Sequence, residues 1–362
     1  MKHINEYRDK KTVAALVEAI RRSSKSPVTL MEVCGGHTMS IQKFGIPSLL
    51  PETVNLISGP GCPVCVTDRR YIDTAIALSR LPDVVIATYG DLIRVPGSSS
   101  SLEKERAAGR RIMVVYSVLD AIKFAETNTS LKVVFLGIGF ETTTPSSAVG
   151  ILTAKRKNLR NFFVYSAHKV MPPAMAALID EEVKIDGYIG PGHVTTITGT
   201  SIYDFIPEKY GLGVVISGFE PVDLLQSILM LVRQFEEKRP AVEIQYRRVV
   251  KPEGNIVARE KVNTVFRSRD DWWRGLGVLP ESGLAIRDEF SGFDAEKNFN
   301  PEVEPVKSDG ACICGSVLKG IAKPVECKLF GTVCNPADPV GPCMVSSEGA
   351  CHAYYKYQSL EL

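Results

Sequence analysis

The sequence predicts an α/β protein with two related parallel-sheet α/β domains and a smaller C-terminal domain, mostly helical and irregular. Three observations predict it. From residue 28 to about residue 217, short β-branched runs alternate with stretches of helical period, the pattern of parallel strands joined by covering helices. Motifs recur at a spacing of 131 residues: a turn closing on His37 with one closing on His168, and GPGCPV at 59–64 with GPGHVT at 190–195. Six of the nine cysteines crowd into residues 312–351, where periodicity is poor.

Taken in order, the start MKHINEYRDKKTVAALVEAIRR has no continuous apolar core and reads as an amphipathic helix rather than a signal peptide. The strands expected next are VTLMEV (28–33), TVNLIS (53–58), DVVIAT (83–88), RIMVVY (111–116), KVVFLG (132–137), NFFVYS (161–166), DGYIG (186–190) and GVVIS (213–217). Most end in Gly, Cys or His, which gathers polar residues at the strand ends where open α/β sheets bind ligands. Beyond residue 240 one strand and one helix precede a stretch rich in Trp, Gly and Pro. The expected domains are 1–117, 118–241 and 242–362.

Composition narrows the function. With 43 Lys+Arg against 41 Asp+Glu, 8% aromatic residues and two Trp, the chain offers neither a basic stripe nor a stacking platform for nucleic acid. No apolar run reaches the ~18 residues of a membrane span, so a cytoplasmic protein is expected, with no membrane partner. Nine cysteines in a reducing compartment point to metal or thiol chemistry, and an odd number cannot all pair as disulfides.

The C-terminal cysteines are Cys312, Cys314, Cys327, Cys334, Cys343 and Cys351. They lack the Cys-x-x-Cys knuckles of zinc sites. Thiolates from well-separated loops suit the corners of an iron-sulfur cubane, and Cys312, Cys327, Cys334 and Cys351 have 14, 6 and 16 intervening residues. Cys312 and Cys314 stand too close in sequence to supply two corners, so one of them is spare. A zinc site and a set of inert buried thiols are the competing readings of these residues.

GPGCPVC (59–65) sets a Cys-x-x-Cys between a strand and a helix. Cys62 then meets free amides at a helix N-terminus and Pro63 takes the first helical position, which fits Cys62 and Cys65 for cycling between dithiol and disulfide. Cys34 in VCGGHT closes the first strand, two glycines allow close approach, and His37 follows. A thiolate and an imidazole so spaced suit iron, or a nucleophile with its base. In GIGFETTTP (137–145), Glu141 lies where a strand meets a helix: the threonines and Pro145 fit an ordinary helix cap, the terminus suits an anion, and Glu141 could pass protons in a cleft. His168, His193 and Glu220 sit on similar turns, where a structural role is at least as well supported.

CGGHT (34–38), GPGCPVC (59–65), GFETTTP (139–145) and the closing cysteine set ending in MVSSEGACHAYYKY together resemble the HypD family of hydrogenase maturation factors, over essentially the whole chain. The resemblance implies a third domain holding a [4Fe-4S] cluster on Cys312, Cys327, Cys334 and Cys351, and a redox pair of Cys62 and Cys65. It also implies that Cys34 binds the iron of the Fe(CN)2CO unit of [NiFe] hydrogenases, with His37 and Glu141 close by. The implied partners are a HypC-like chaperone and a HypE-like cyanide donor, and the implied role is an assembly scaffold rather than a turnover enzyme. The alternative is a cluster-dependent thiol-disulfide reductase acting on a protein partner.

Overall fold

The computed structural model describes residues 5–181, 183–307 and 310–358, which include all nine cysteines. The expected first helix forms as a short turn, Asn5–Arg8, followed by Lys10–Ser23, and residues 1–4 lie outside the described residues. Asp9 caps this helix by accepting the Thr12 amide at 2.8 Å. Val17 and Ile20 bury against the helix Pro221–Glu236, each contributing about 1.5–3 kcal/mol relative to exposure.

All eight expected strands form: β1 (Val28–Glu32), β2 (Val54–Ser58), β3 (Val84–Thr88), β4 (Ile112–Val114), β5 (Lys132–Gly139), β6 (Phe162–His168), β7 (Gly187–Pro191) and β8 (Gly213–Ser217). The strand expected after residue 240 is the short β9 (Val242–Ile244). They make two parallel sheets, ordered β2-β1-β7-β8-β9 and β4-β3-β5-β6. The first four strands of the larger sheet follow the same winding as the smaller sheet, so the units are related as expected. Their connectivity differs from the expected division: the smaller sheet is inserted whole between β2 and β7, and residue 117 falls inside it, between β4 and β5. By strand order β1 corresponds to β3 and β7 to β5. The 131-residue echo instead couples β1 with β6, which do not correspond. Strand order comes from long-range pairing, which no local pattern records.

Both faces of each sheet are buried, and alternate side chains choose between three apolar clusters. Leu30, Ile189 and Val215 point to the helices Lys10–Ser23 and Pro221–Glu236. Met31, Tyr188, Val214 and Ile216 face the opposite way, into a cluster that also holds Val134 and Leu136 of β5. The two sheets therefore share one inner core. Cys62, Cys65, Cys314 and Cys343 belong to that core.

The Trp, Gly and Pro-rich stretch forms an antiparallel hairpin, β10 (Phe266–Trp273) and β11 (Gly277–Ile286), with Trp273 opposite Gly277. Its tip turns through Gly275 and Gly277, both at positive φ (+86° and +75°). The usual two-residue turn signal is missing from this loop, so the sequence did not announce it. Past residue 310 the chain is short helices and turns, among them Cys314–Leu318, Pro342–Val345 and Ala350–Gln358. No helix among the described residues is long and apolar enough to cross a membrane.

His168 ends β6 with no exposed surface, and its Nε2 lies 2.8 Å from Ser147 Oγ. Burial lowers its pKa to about 4 from 6.5. The unfolded chain protonates first, so the stability from neutral His168 is present above pH 6.5 and is lost as pH falls towards 4, at about 1.4 kcal/mol per pH unit. Urea unfolding at pH 7 and pH 5 will show a smaller acid loss in His168→Gln than in the parent chain. Equal losses in the two would contradict this.

Candidate functional site

Cys34 caps the helix Gly35–Lys43 at the C-terminal end of β1. Behind it lies Glu32, whose carboxylate accepts the Thr38 hydroxyl at 2.6 Å and the Cys34 amide at 3.2 Å. Burial pushes Glu32 up to about 8. Cys34 keeps some solvent contact, yet burial, joined by the charge of Glu348, pushes its thiol up to about 12, against the pull of the His37 and Gly36 amides. At neutral pH this keeps the thiol protonated.

The GPGCPVC loop lies directly on this cysteine. Gly35 donates its amide to Gly61 O at 3.0 Å. A Cβ on Gly61 would stand 2.4 Å from the Cys34 nitrogen and 2.6 Å from its Cα, so only glycine allows the two segments to touch. Cys62 then caps the four-residue helix Pro63–Val66, and its sulfur accepts the Cys65 amide at 3.3 Å. Cys62 and Cys65 are 3% and 0% exposed. Burial holds Cys65 well above the ordinary thiol range.

An aromatic stack walls the other side. Phe219 lies between His37 and His193, with ring centroids 4.5 and 4.0 Å apart. His37 donates through Nε2 to Ser217 O at 3.2 Å, while Nδ1 has no hydrogen-bond partner among the described residues. Burial lowers its pKa to about 4, so it is neutral. Glu141 accepts the Met171 amide at 3.0 Å, and its second oxygen is buried without a partner. Burial raises Glu141 to about 7. Its side chain lines a pocket with Thr144, Val170, Pro172 and Ile202. His168 stays within the smaller sheet, and Glu220 pairs with Arg8.

The C-terminal thiols gather as well. Cys312, Cys314, Cys327, Cys334 and Cys351 line one small cavity with Leu329, Phe330 and Met344. Cys334 accepts the Val340 amide at 3.3 Å. A Cβ on Gly341 would lie 2.9 Å from Cys312 Sγ and 3.2 Å from Cys314 Sγ. Cys343 stands outside the cavity, in contact with Cys314, Cys351 and Cys65. The two cysteines that the spacing left without a place therefore bridge the C-terminal set to the Cys-x-x-Cys.

The family model described as HypD, hydrogenase formation hypA family, matches residues 11–358. The chain belongs to the HypD family. It is 49% identical over 368 residues to hydrogenase maturation factor HypD2 of Bradyrhizobium diazoefficiens, covering 99% of this chain and 97% of the relative. With HypD of Azotobacter vinelandii it shares 47% over 367 residues, covering 99% and 97%. With HypD of Escherichia coli K12 the identity is 43% over 370 residues, covering 100% and 99%. These relatives are named hydrogenase maturation factors, and this chain is a member of that family.

Several residues of this HypD site carried no sequence signal. Glu348 packs against Gly35, where a Cβ would approach to 2.4 Å. Burial, reinforced by Asp91, raises its carboxyl, and Ser346 donates to Asp91 at 3.0 Å. Arg274, 4% exposed at the hairpin tip, donates to Cys65 O and Thr67 O at 3.1 Å each, and its amide reaches Val66 O at 2.9 Å. One buried guanidinium thus holds the carbonyl end of the Cys-x-x-Cys helix.

Two substitutions test this geometry. Gly61→Ala forces backbone against backbone at Cys34, an overpacking cost of about 1–3 kcal/mol, and will lower the urea midpoint while separating the two segments. Arg274→Met leaves two buried carbonyls without donors, at about 1–3 kcal/mol. Alkylation mapped by mass spectrometry will show faster labelling of Cys65 in the Arg274 variant, partly restored by lysine. Parent-like labelling would mean that Arg274 does not hold this helix.

Proposed function

We propose that this HypD-family chain is the cytoplasmic scaffold on which the Fe(CN)2CO unit of [NiFe] hydrogenases is assembled, in company with a HypC-like chaperone and a HypE-like cyanide donor. The observation that carries the reading is the seat of the GPGCPVC loop on Cys34. It sets a thiol able to bind the iron cargo against a pair able to exchange electrons.

In this reading Cys34 takes the iron and releases its proton, because the cation replaces H⁺ on the sulfur. Neutral His37, whose Nδ1 has no hydrogen-bond partner among the described residues, is the group able to accept that proton. Cys312, Cys327, Cys334 and Cys351 hold a [4Fe-4S] cluster, whose chemistry is the supply of single electrons. What supports this is the ring of sulfurs around one cavity and the amide donated to Cys334.

The buried thiols can complete a balanced exchange among themselves. Cys343 attacks the Cys62–Cys65 disulfide at Cys65, and Cys314 then attacks the mixed disulfide at Cys343. The Cys62/Cys65 pair gains two electrons and two protons, and the Cys314/Cys343 pair loses them. The alternative, a reductase for protein disulfides, needs a substrate sulfur to reach Cys62, which is 3% exposed.

Purification with HypC-like and HypE-like partners, followed by infrared spectroscopy, tests the assignment. Cys34→Ala will lose the cyanide and carbonyl bands and the cargo iron while keeping the visible absorption of the C-terminal centre. Bands retained in that variant would overturn the role of Cys34. Cys343→Ser will leave Cys62 and Cys65 oxidised under conditions that reduce the parent chain.

A further inference from the structure

Phe219 bounds the space beside Cys34. A Cβ on Gly36 would lie 3.0 Å from the Phe219 ring and 3.7 Å from Cys34 Sγ, so ring and sulfur flank the same point. Cys34 keeps some solvent contact and Phe219 is half-buried. Whatever fixes this ring therefore bears on what can approach the thiol.

The loop that carries Phe219 is fastened at two depths. The deep fastening is Asp223, 0% exposed, which accepts the Glu220 amide at 3.2 Å and both terminal nitrogens of Arg248 at 2.7 and 2.5 Å. Arg248 lies over the Tyr246 ring at 4.5 Å, and Tyr246 meets Phe219 edge to face at 5.9 Å. Gly218 leaves no slack, since a Cβ there would stand 2.4 Å from Asp223 and 2.8 Å from Tyr246. Parting a buried pair such as Asp223 and Arg248 leaves a charge without compensation, so this end stays closed.

The shallow fastening is the N-terminal turn Asn5–Arg8. Arg8 grips the Glu220 carboxylate through Nε and Nη2, the latter 2.8 Å from Oε1. Its guanidinium also lies over Phe44 at 5.5 Å, the residue that closes the helix begun at Cys34. Tyr7, beside it, lies under Arg248 at 3.8 Å. One turn of chain thus straps the Phe219 loop to the Cys34 helix. The Arg8 and Glu220 side chains are 45% and 21% exposed, and a pair so placed is weakly held and screened by salt.

We propose that the turn Asn5–Arg8 is a releasable latch: Arg8 and Tyr7 hold Phe219 beside Cys34, and parting of Arg8 from Glu220 frees the ring and admits bulkier groups to the thiol. Arg8, Glu220 and Tyr7 are positioning residues, each acting through Phe219. The deep contacts at Asp223 keep the loop attached while the shallow one opens, so the ring swings about a fixed end. What the latch serves rests on the proposed function, in which the cargo iron must reach Cys34.

The test follows alkylation of Cys34 by mass spectrometry in the full chain, purified without oxygen, at one pH. N-ethylmaleimide reports the reactivity of the thiol, and the ratio of fluorescein maleimide labelling to it reports access. Arg8→Ala will raise that ratio about two- to fivefold, the factor an exposed pair supplies. Arg8→Lys, which keeps the charge and loses the fork, will fall between variant and parent. Added salt will raise the ratio in the parent chain and leave it unchanged in Arg8→Ala. Phe219→Ala will raise it further, and adding Arg8→Ala to that variant will change nothing more. A ratio unmoved by Arg8→Ala, or an equal rise at Cys65, would overturn the latch. The measurement needs no iron, so such a failure leaves the cargo reading intact, and that reading fails separately, by infrared bands retained in Cys34→Ala.

Discussion

The arrangement depends on how the four-residue helix Pro63–Val66 is held. A helix of one turn has no stability of its own, since nucleation costs more than a single turn returns. Its position is therefore a tertiary property, set from three sides. The loop before it rests on Cys34 through Gly61, Arg274 takes up its carbonyl end, and Cys343 meets the Cys65 thiol. The close approaches require residues without side chains: Gly61 against the backbone of Cys34, and Gly275 against Gly315, where a Cβ would come within 2.6 Å of a carbonyl oxygen. That second contact joins the hairpin tip to the Cys312–Cys314 loop, so one turn of chain positions both groups of thiols.

The same burial decides the charge of the site. Glu32 at about 8, Glu141 at about 7, His37 at about 4 and Cys34 at about 12 are all pushed towards their neutral forms. A site that resists ionisation in this way is uncharged until a cation enters. The cation then reverses the balance for every group near it, since a positive charge stabilises a thiolate and a carboxylate together. Glu348, raised by burial and by Asp91, belongs to the same set. If Cys34 takes the iron as proposed, cation entry and proton release are one event on this rim.

Much of this was legible in the sequence, because the strands are strongly β-branched and their ends carry distinctive residues. Every expected strand formed, and Cys34, Cys62 and Cys65 came together because all three lie at the C-terminal ends of neighbouring strands β1 and β2. Connectivity was not legible. The insertion of β3–β6 between β2 and β7 is written in cross-strand pairing, and the repeated turn motifs misled because Gly-Pro-Gly recurs after unrelated strands. Arg274 was invisible for a similar reason: a buried arginine in a Gly-rich turn acquires its role only from the carbonyls it meets, which lie 207 to 209 residues away. Cys314 and Cys343 were seen but not placed, since the spacing that suggests a ligand set says nothing of thiols that bridge it to another site.

The insertion also explains where Cys62 and Cys65 sit. The chain leaves the larger sheet at β2, forms GPGCPVC, and enters the smaller sheet through the helix Arg69–Ser79. That helix is tied to β6 by the Tyr71 hydroxyl, which donates to Tyr165 O at 3.0 Å, and by the stacking of the two tyrosines at 4.4 Å. Cys34 belongs to the larger sheet, while Cys62 and Cys65 begin the crossover fastened to the smaller one. The distance between Cys34 and the Cys62/Cys65 pair is therefore linked to the packing of two sheets across the inner core that they share. A rigid core holds that distance constant, and any rearrangement that moves one sheet against the other must move Cys62 and Cys65 relative to Cys34.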